Sequence, residues 1–210
     1  MESIESYIKT HIDSEPKLLK QIYRDAQVKL LHGHMSSGHI QGRILKMLVQ
    51  MIRPLNVIEI GTYIGYSALC IAEGLDENAI LHTVEINDEL EELIRENFSK
   101  SQYSDKIKLH IADANDIIPQ FSDNLFDFAF IDGDKREYLQ IYEAILPKIK
   151  EGGFIIADNT LWHGKVIQKP KSNDWQAKGI IEFNDKLMSD IRVEKVILPV
   201  RDGLTLIRKK

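Results

Sequence analysis

Short, mostly apolar runs alternate with amphipathic stretches through most of this 210-residue chain. From position 56 onward the runs are short enough for strands, and the stretches between them have the length and periodicity of helices. Strands that alternate with helices in this way indicate βαβ units, and therefore an α/β protein with a parallel sheet and helices on both faces. The seven predicted strands are residues 57–60, 80–84, 107–111, 126–131, 154–157, 193–198 and 204–207.

The two ends of the chain depart from this alternation. Only residues 199–203 separate the last two predicted strands, which is too short for a crossover connection, so we expect the final strand to run antiparallel. Residues 40–51 instead carry apolar side chains at helical spacing, and the preceding segments are also predicted to be helical. We therefore predict a single domain over residues 1–210, with an N-terminal helical segment (1–53) on an α/β core (54–210).

Composition serves mainly to exclude classes of protein. A net charge of −5 does not favour DNA or an anionic membrane as a partner. No run approaches the roughly 18 apolar residues of a membrane span, and the polar N-terminus lacks the apolar core of a signal peptide. Cys70 is the single cysteine, so an internal disulfide is impossible. A cytoplasmic protein is the resulting expectation.

Polar side chains follow two of the predicted strands at the point where each strand ends. Asp132 comes directly after residues 126–131, and Asp158 and Asn159 come after residues 154–157. Parallel strands end at a common edge of the sheet, so these side chains are expected to converge. Two carboxylates and an amide oxygen suit Mg²⁺, and Lys135 is a candidate proton acceptor beside it. Helix capping by the aspartates and surface ion pairing by Lys135 are the alternative explanations.

A glycine-containing loop follows the first predicted strand. Gly61 and Gly65 are four positions apart, so the loop lacks the dinucleotide fingerprint, and it also lacks the ending of a phosphate-binding P-loop. Glu85 ends the second strand and is placed to accept hydrogen bonds from both hydroxyls of a ribose. Asp113 and Ala114 follow the third strand, in reach of an adenine edge. A nucleoside site without a phosphate cradle favours S-adenosylmethionine (SAM) over NAD.

Three segments, 57–67, 128–138 and 157–166, together resemble a known family. With their Glu-Ile-Gly-Thr, Phe-Ile-Asp-Gly-Asp-Lys and Asp-Asn-Thr-Leu-Trp motifs, the chain resembles a bacterial-like member of the cation-dependent SAM O-methyltransferases of the caffeoyl-CoA and catechol O-methyltransferase type. The resemblance covers nearly the whole chain. It implies a Rossmann-like class I methyltransferase fold, with a seven-stranded, mostly parallel sheet, an antiparallel last strand and extra N-terminal helices. It also implies a homodimer.

The resemblance assigns roles to individual residues. Asp132, Asp158 and Asn159 would bind the divalent cation, and Lys135 would act as the base. We expect Trp162 to form a wall of the acceptor pocket rather than to pack in the core. The resemblance implies that SAM contacts the following residues: Met35, Ser37, Glu59, Gly61, Thr62, Ser67, Glu85, Ala114, Asp132 and Asp134.

Three functions remain open at this point. The first is methyl transfer to a hydroxyl of a catechol-like small molecule, such as a hydroxycinnamate or a flavonoid. The second is O-methylation of 5-hydroxyuridine in tRNA, a reaction of some bacterial relatives, for which lysines at positions 165, 169, 171 and 178 and the tail 208–210 would form a basic patch. The third is a nicotinamide-dependent oxidoreductase or a non-catalytic nucleoside-binding module. The missing dinucleotide fingerprint disfavours the oxidoreductase, and the intact aspartate, asparagine and lysine set disfavours the binding module.

Overall fold

The structure is a computed structural model that describes residues 3–31, 33 and 36–210. Within those residues no helix is long and apolar enough to cross a membrane. The helices are α1 Ile4–His11, α2 Lys17–Lys29, α3 Gly38–Ile52, α4 Tyr66–Gly74, α5 Glu91–Ser99, α6 Ala114–Ile117, α7 Tyr138–Ile145 and α8 Trp175–Ser189. The strands are β1 Asn56–Ile60, β2 Ile80–Glu85, β3 Ile107–Ile111, β4 Phe126–Ile131, β5 Ile149–Asp158, β6 Val193–Leu198 and β7 Leu204–Lys209.

The seven strands form one sheet in the order β3-β2-β1-β4-β5-β7-β6. Strands β1 to β5 pair in parallel, while β7 lies between β5 and β6 and runs antiparallel to both. The pairing of β5 with β7 places Leu204 opposite Asp158, the last residue of β5. The predicted sheet and its antiparallel last strand are therefore confirmed.

Helices cover both faces of this sheet, which is why the central strands are apolar almost throughout. Along β4, Phe128 and Phe130 point into one core, and Ala129 and Ile131 point into the other. The first core also contains Leu19, Ile22, Leu45 and Val49, so helices α2 and α3 of the N-terminal segment pack on the sheet together with α4. The second core lies beneath α7 and α8.

The fifth strand is longer than the sequence indicated. It begins at Ile149 rather than at residue 154, and its pairing with β4 shifts register between Phe126 and Phe128. Gly152 has a φ of 78°, and a Cβ at Gly153 would lie 2.7 Å from the side chain of Ile149. The two glycines therefore lie inside an irregular strand instead of marking its entry.

Candidate active site

Three polar residues lie at the carboxyl ends of β4 and β5, which are neighbours in the sheet. Asp132 directly follows β4, and its backbone N–H donates to the carbonyl oxygen of Ile60 at 2.8 Å, which ties it to the end of β1. Asp158 is the last residue of β5. Asn159 adopts a φ of 57°, a left-handed conformation that asparagine tolerates better than most residues. The chain thus brings two carboxylates and one amide to the same edge of the sheet.

Lys135 is buried beside these carboxylates, with 7% of its surface exposed. Its Nζ donates to Oδ1 of Asp132 at 2.7 Å and to the hydroxyl of Tyr138 at 2.9 Å. The Tyr138 hydroxyl in turn is within donating distance of two carbonyl oxygens, that of Ile131 at 3.1 Å and that of Asp158 at 3.0 Å. Tyr138 therefore joins the lysine to the ends of both strands.

The backbone around Lys135 is held by α8. The Lys135 N–H donates to Oε1 of Gln176 at 3.0 Å, and a Cβ at Gly179 would lie 2.3 Å from the Lys135 carbonyl oxygen. Asp134, the preceding residue, accepts from the backbone N–H of Arg136 and forms an ion pair with its guanidinium. These hydrogen bonds to Arg136 lower the pKa of Asp134. Lys135 is thus buried and pairs with Asp132, whereas the alternative explanation placed it in an ion pair at the surface.

Asp158 is 3% exposed and uses both of its carboxylate oxygens. Oδ1 accepts from the backbone N–H of Asn159 at 2.7 Å, and Oδ2 accepts from Nε2 of Gln41 at 2.6 Å. Burial raises the pKa of Asp158 to about 6, and the nearby charge of Asp132 adds to this effect. Such a carboxyl group is stabilised in its charged form when a cation binds to it.

Gln41 is a site residue that the sequence did not reveal, because it lies 117 positions before its partner. One signal was available. Gln41 precedes Leu45 by four positions and Val49 by eight, so it occupies the apolar face of α3. A glutamine on that face needs a buried polar partner.

The side chains at this edge of the sheet offer oxygen donors to a cation. Among the described residues, no group of three or more histidine, cysteine, aspartate or glutamate side chains is arranged to hold a metal ion. The candidate set is instead Asp132, Asp158 and the amide of Asn159. Oxygen donors of this kind fit a hard divalent cation, and the ion pair between Lys135 and Asp132 shows that this edge already stabilises a positive charge.

The glycine-containing loop after β1 packs directly against this edge. Gly61 has a φ of 100°, and a Cβ there would lie 2.4 Å from the carbonyl oxygen of Asp132. The N–H groups of Gly61 and Thr62 donate to the carbonyl oxygen of Val84, at 3.0 and 3.2 Å. The loop is therefore fixed between the ends of β2 and β4, beside the candidate cation site.

A buried polar network lies beneath the loop. Glu59 in β1 is fully buried and accepts from the Thr83 hydroxyl at 2.6 Å, and the Thr83 and Thr62 hydroxyl oxygens are 2.5 Å apart. Burial raises the pKa of Glu59 to about 8, against the opposing effect of the Ser67 and Thr83 hydroxyls. Oε1 of Glu59 has no hydrogen-bond partner in the described part of the chain. An unpaired buried oxygen is costly, so this atom is a candidate ligand contact.

A second buried oxygen atom for which the described residues offer no hydrogen-bond partner lies in the segment before α3. Oγ of Ser36 is buried and has no partner among residues that the structure describes. Ser37 is also buried, and its carbonyl oxygen accepts from the guanidinium of Arg201. Met35, which the resemblance assigns to SAM binding, lies outside the described residues.

The remaining predicted nucleoside contacts lie at the ends of β2 and β3. The Glu85 carboxylate is 8% exposed and accepts from the backbone N–H groups of Tyr63 and Asn87, at 2.7 and 2.9 Å. Each of its oxygens retains a lone pair for a further donor. Ala114 begins α6, which the side chain of Asp113 caps.

Trp162 occupies the turn that follows Asn159. Its φ of 44° is unusual, and its half-buried ring packs against the core beneath α7 and α8, as does Val166. The indole Nε1 is buried and has no partner within the described chain. Trp162 therefore combines core contacts with a donor available to a bound molecule.

Replacing Gly61 with alanine should destabilise the protein more than an equivalent change at Gly164. Both glycines have a positive φ, but a Cβ at Gly164 would meet nothing within 4 Å. We expect Gly61→Ala to lower the free energy of unfolding by about 3 kcal/mol or more, from backbone strain and overpacking against Asp132. Gly164→Ala should cost about 1 kcal/mol. Urea unfolding of both variants measures the difference, and equal losses would contradict the close approach to Asp132.

Comparison with known proteins agrees with this architecture. The sequence model of the O-methyltransferase family matches residues 9–210. The chain is 34% identical to caffeoyl-CoA O-methyltransferase 1 of Eucalyptus globulus over 204 residues, which cover 93% of this chain and 82% of that protein. It is 32% identical to caffeoyl-CoA O-methyltransferase 5 of Nicotiana tabacum over 205 residues, which cover 93% and 85% of the two chains.

Solved structures give the same result. An SAH-bound methyltransferase from Podospora anserina superimposes with a TM-score of 0.90 at 28% identity, covering 99% of this chain and 94% of that one. An O-methyltransferase from Bacillus cereus in complex with SAH also has a TM-score of 0.90, at 27% identity and with 99% and 97% coverage. The chain therefore belongs to the O-methyltransferase family and is of the caffeoyl-CoA O-methyltransferase type.

Proposed function

We propose that this protein transfers the methyl group of SAM to a hydroxyl of a catechol-like small molecule, with the help of a divalent cation. The observation that carries the proposal is the buried Lys135, which lies 2.7 Å from Asp132 at the edge where Asp158 and Asn159 also lie. The bound SAH of the two related structures and the names of the plant relatives support it.

In this proposal the loop after β1 and its surroundings bind SAM. The unpaired Oε1 of Glu59 and Oγ of Ser36 would contact the polar methionine end. Glu85 would accept hydrogen bonds from the ribose hydroxyls, and Ala114 would lie against the adenine. Because Gly61 has no side chain, nothing at that position would separate bound SAM, the methyl donor, from Asp132. The methyl group would thus lie close to the proposed cation site.

Asp132, Asp158 and Asn159 would hold the cation, which when bound supplies Lewis-acid stabilisation of negative charge on the acceptor oxygen. Lys135, in its neutral form, would accept the hydroxyl proton on the free lone pair of Nζ. The acceptor oxygen then forms a bond to the methyl carbon, and the carbon–sulfur bonding pair leaves with the sulfur. Tyr138 keeps the lysine in place through this step. Holding both reactants in line lowers the barrier by as much as about 7–11 kcal/mol.

A tRNA acceptor is the second candidate. Its proposed basic patch depends on lysines that are available to contact phosphate groups. Lys165 forms an ion pair with Asp174 at 2.7 Å. Lys178 donates to the carbonyl oxygen of Ser172 and lies 4.0 Å from the ring centroid of Trp175. Two of the four lysines are thus engaged within the protein, which favours the small-molecule acceptor.

Labelled SAM distinguishes the two acceptors. The enzyme is incubated with Mg²⁺ and either a panel of catechols or tRNA that carries 5-hydroxyuridine, at several salt concentrations. We expect label in the catechol pool with little dependence on salt. Label in tRNA that falls steeply with salt would instead identify a phosphate-bound substrate. Label in neither pool would refute both acceptors.

We also propose a homodimer. The edge strand β6 exposes Val196 and Ile197, which are 52% and 43% accessible. Burying apolar side chains at a sheet edge is favourable and removes an aggregation-prone surface.

A further inference from the structure

We propose that Gln41 is a positioning residue that orients the Asp158 carboxylate for the cation, and that Arg201 fixes the orientation of Gln41. This inference rests on the cation site proposed above. Gln41 comes from α3, Asp158 from the end of β5, and Arg201 from the turn between β6 and β7. The three side chains form one hydrogen-bonded chain across these elements.

The direction of the Gln41 amide is fixed by its two partners. An arginine guanidinium carries only donors, so the Gln41 atom that faces Arg201 must be the oxygen, Oε1. The other end of the amide must then be the nitrogen, and it faces Oδ2 of Asp158 at 2.6 Å. Because Gln41 is 1% exposed, water does not compete for either atom. The surrounding residues thus determine the amide orientation, which could otherwise be reversed.

The Asp158 carboxylate is held at both of its oxygens. Asp158 accepts one hydrogen bond on each oxygen, from the Asn159 N–H and from Gln41, so rotation of the carboxylate breaks both. Each oxygen keeps a lone pair for a cation. A carboxylate held in this way loses little further freedom when it binds a metal. Gln41 is also neutral, so it orients Asp158 without cancelling the negative charge that a cation needs.

The same series of hydrogen bonds reaches the segment that the resemblance assigns to SAM. Arg201 also donates to the carbonyl oxygen of Ser37, at the start of α3. One guanidinium therefore holds both the segment before α3 and the glutamine that reaches Asp158. Arg201 is itself exposed at the protein surface, so its replacement removes no core side chain.

Divalent-metal affinity tests the proposal. Mn²⁺ binding is measured by electron paramagnetic resonance for the wild-type enzyme, Gln41→Met, Arg201→Met and Arg201→Lys. Loss of an outer hydrogen-bond partner typically weakens metal binding by about 10–100-fold, and we expect this for Gln41→Met. Arg201→Met should show a smaller loss, and Arg201→Lys, which retains a donor, should recover most of it. SAM affinity of Gln41→Met, measured by calorimetry, should match the wild type.

A matched control is Gln21→Met, on the exposed face of α2, where the glutamine donates to Asp25; this variant should bind Mn²⁺ as the wild type does. Wild-type Mn²⁺ affinity in folded Gln41→Met would overturn the positioning role. Should Gln41→Met fail to fold, Arg201→Met decides, and unchanged affinity there would overturn it. Absence of Mn²⁺ binding by the wild type would refute the cation site itself, and the positioning role with it.

Discussion

Replacing Lys135 with methionine is expected to lower kcat by about 10²–10⁴-fold, the usual contribution of a positioned general base. The lysine Nζ is buried within 2.9 Å of Asp132 and the Tyr138 hydroxyl, and methionine preserves its length but cannot take a proton. SAM affinity should change little, because Lys135 lies on the acceptor side of the site in the proposed mechanism. Methyl transfer to a catechol under single-turnover conditions gives the chemical rate, and calorimetry gives the SAM affinity.

The matched control is Lys178→Met. This lysine lies over the ring of Trp175 and outside the buried cluster, so kcat should remain that of the wild type. A wild-type rate in Lys135→Met would remove the lysine from the chemistry. A parallel fall in SAM affinity and kcat would show instead that Lys135 supports the donor site.

Removing the carboxylate of Asp158 should have the second large effect. A bound cation contributes several kcal/mol of charge stabilisation, which corresponds to about 10²–10³-fold in rate. We therefore expect Asp158→Ala to lose at least this factor and to show no response to added Mg²⁺. The wild-type enzyme should lose activity in excess chelator and regain it when Mg²⁺ is restored. Activity is measured across a titration of free Mg²⁺.

Asp123→Ala serves as the control, since Asp123 is an exposed aspartate that pairs with Lys148. Its Mg²⁺ dependence should be that of the wild type. Full activity of the wild-type enzyme in excess chelator would contradict the cation hypothesis, and the ion pair of Lys135 with Asp132 would then be the charge arrangement that catalysis uses.

The sequence predicted the sheet well because its strands are short, mostly apolar runs that alternate with helical stretches. Residues 107–111, 126–131 and 193–198 were predicted with the bounds that the structure has. The start of β5 was missed because Gly152 and Gly153 have low strand propensity. The irregular pairing of β5 with β4 overrides that preference, and no local pattern reveals it.

Of the candidate site, too, one part could be predicted from the sequence and another part could not. Asp132, Asp158 and Asn159 could be placed together because parallel strands end at one edge, a rule that depends on topology alone. The contacts of Gln41 and Arg201 could not be predicted, since they join α3 to the β6–β7 turn across more than 150 residues. The pairing of the buried Lys135 with Asp132 could not be predicted either, because it depends on how Tyr138 and α8 enclose the lysine.

The position of β7 has a consequence for how the protein is made. This strand is the seventh along the chain, yet it inserts beside β5 and sets Leu204 opposite Asp158. During synthesis on the ribosome, β5 therefore has one unpaired side until residues 204–209 emerge. The nascent chain would remain inactive, and vulnerable to strand exchange with other nascent chains, until its last strand is in place.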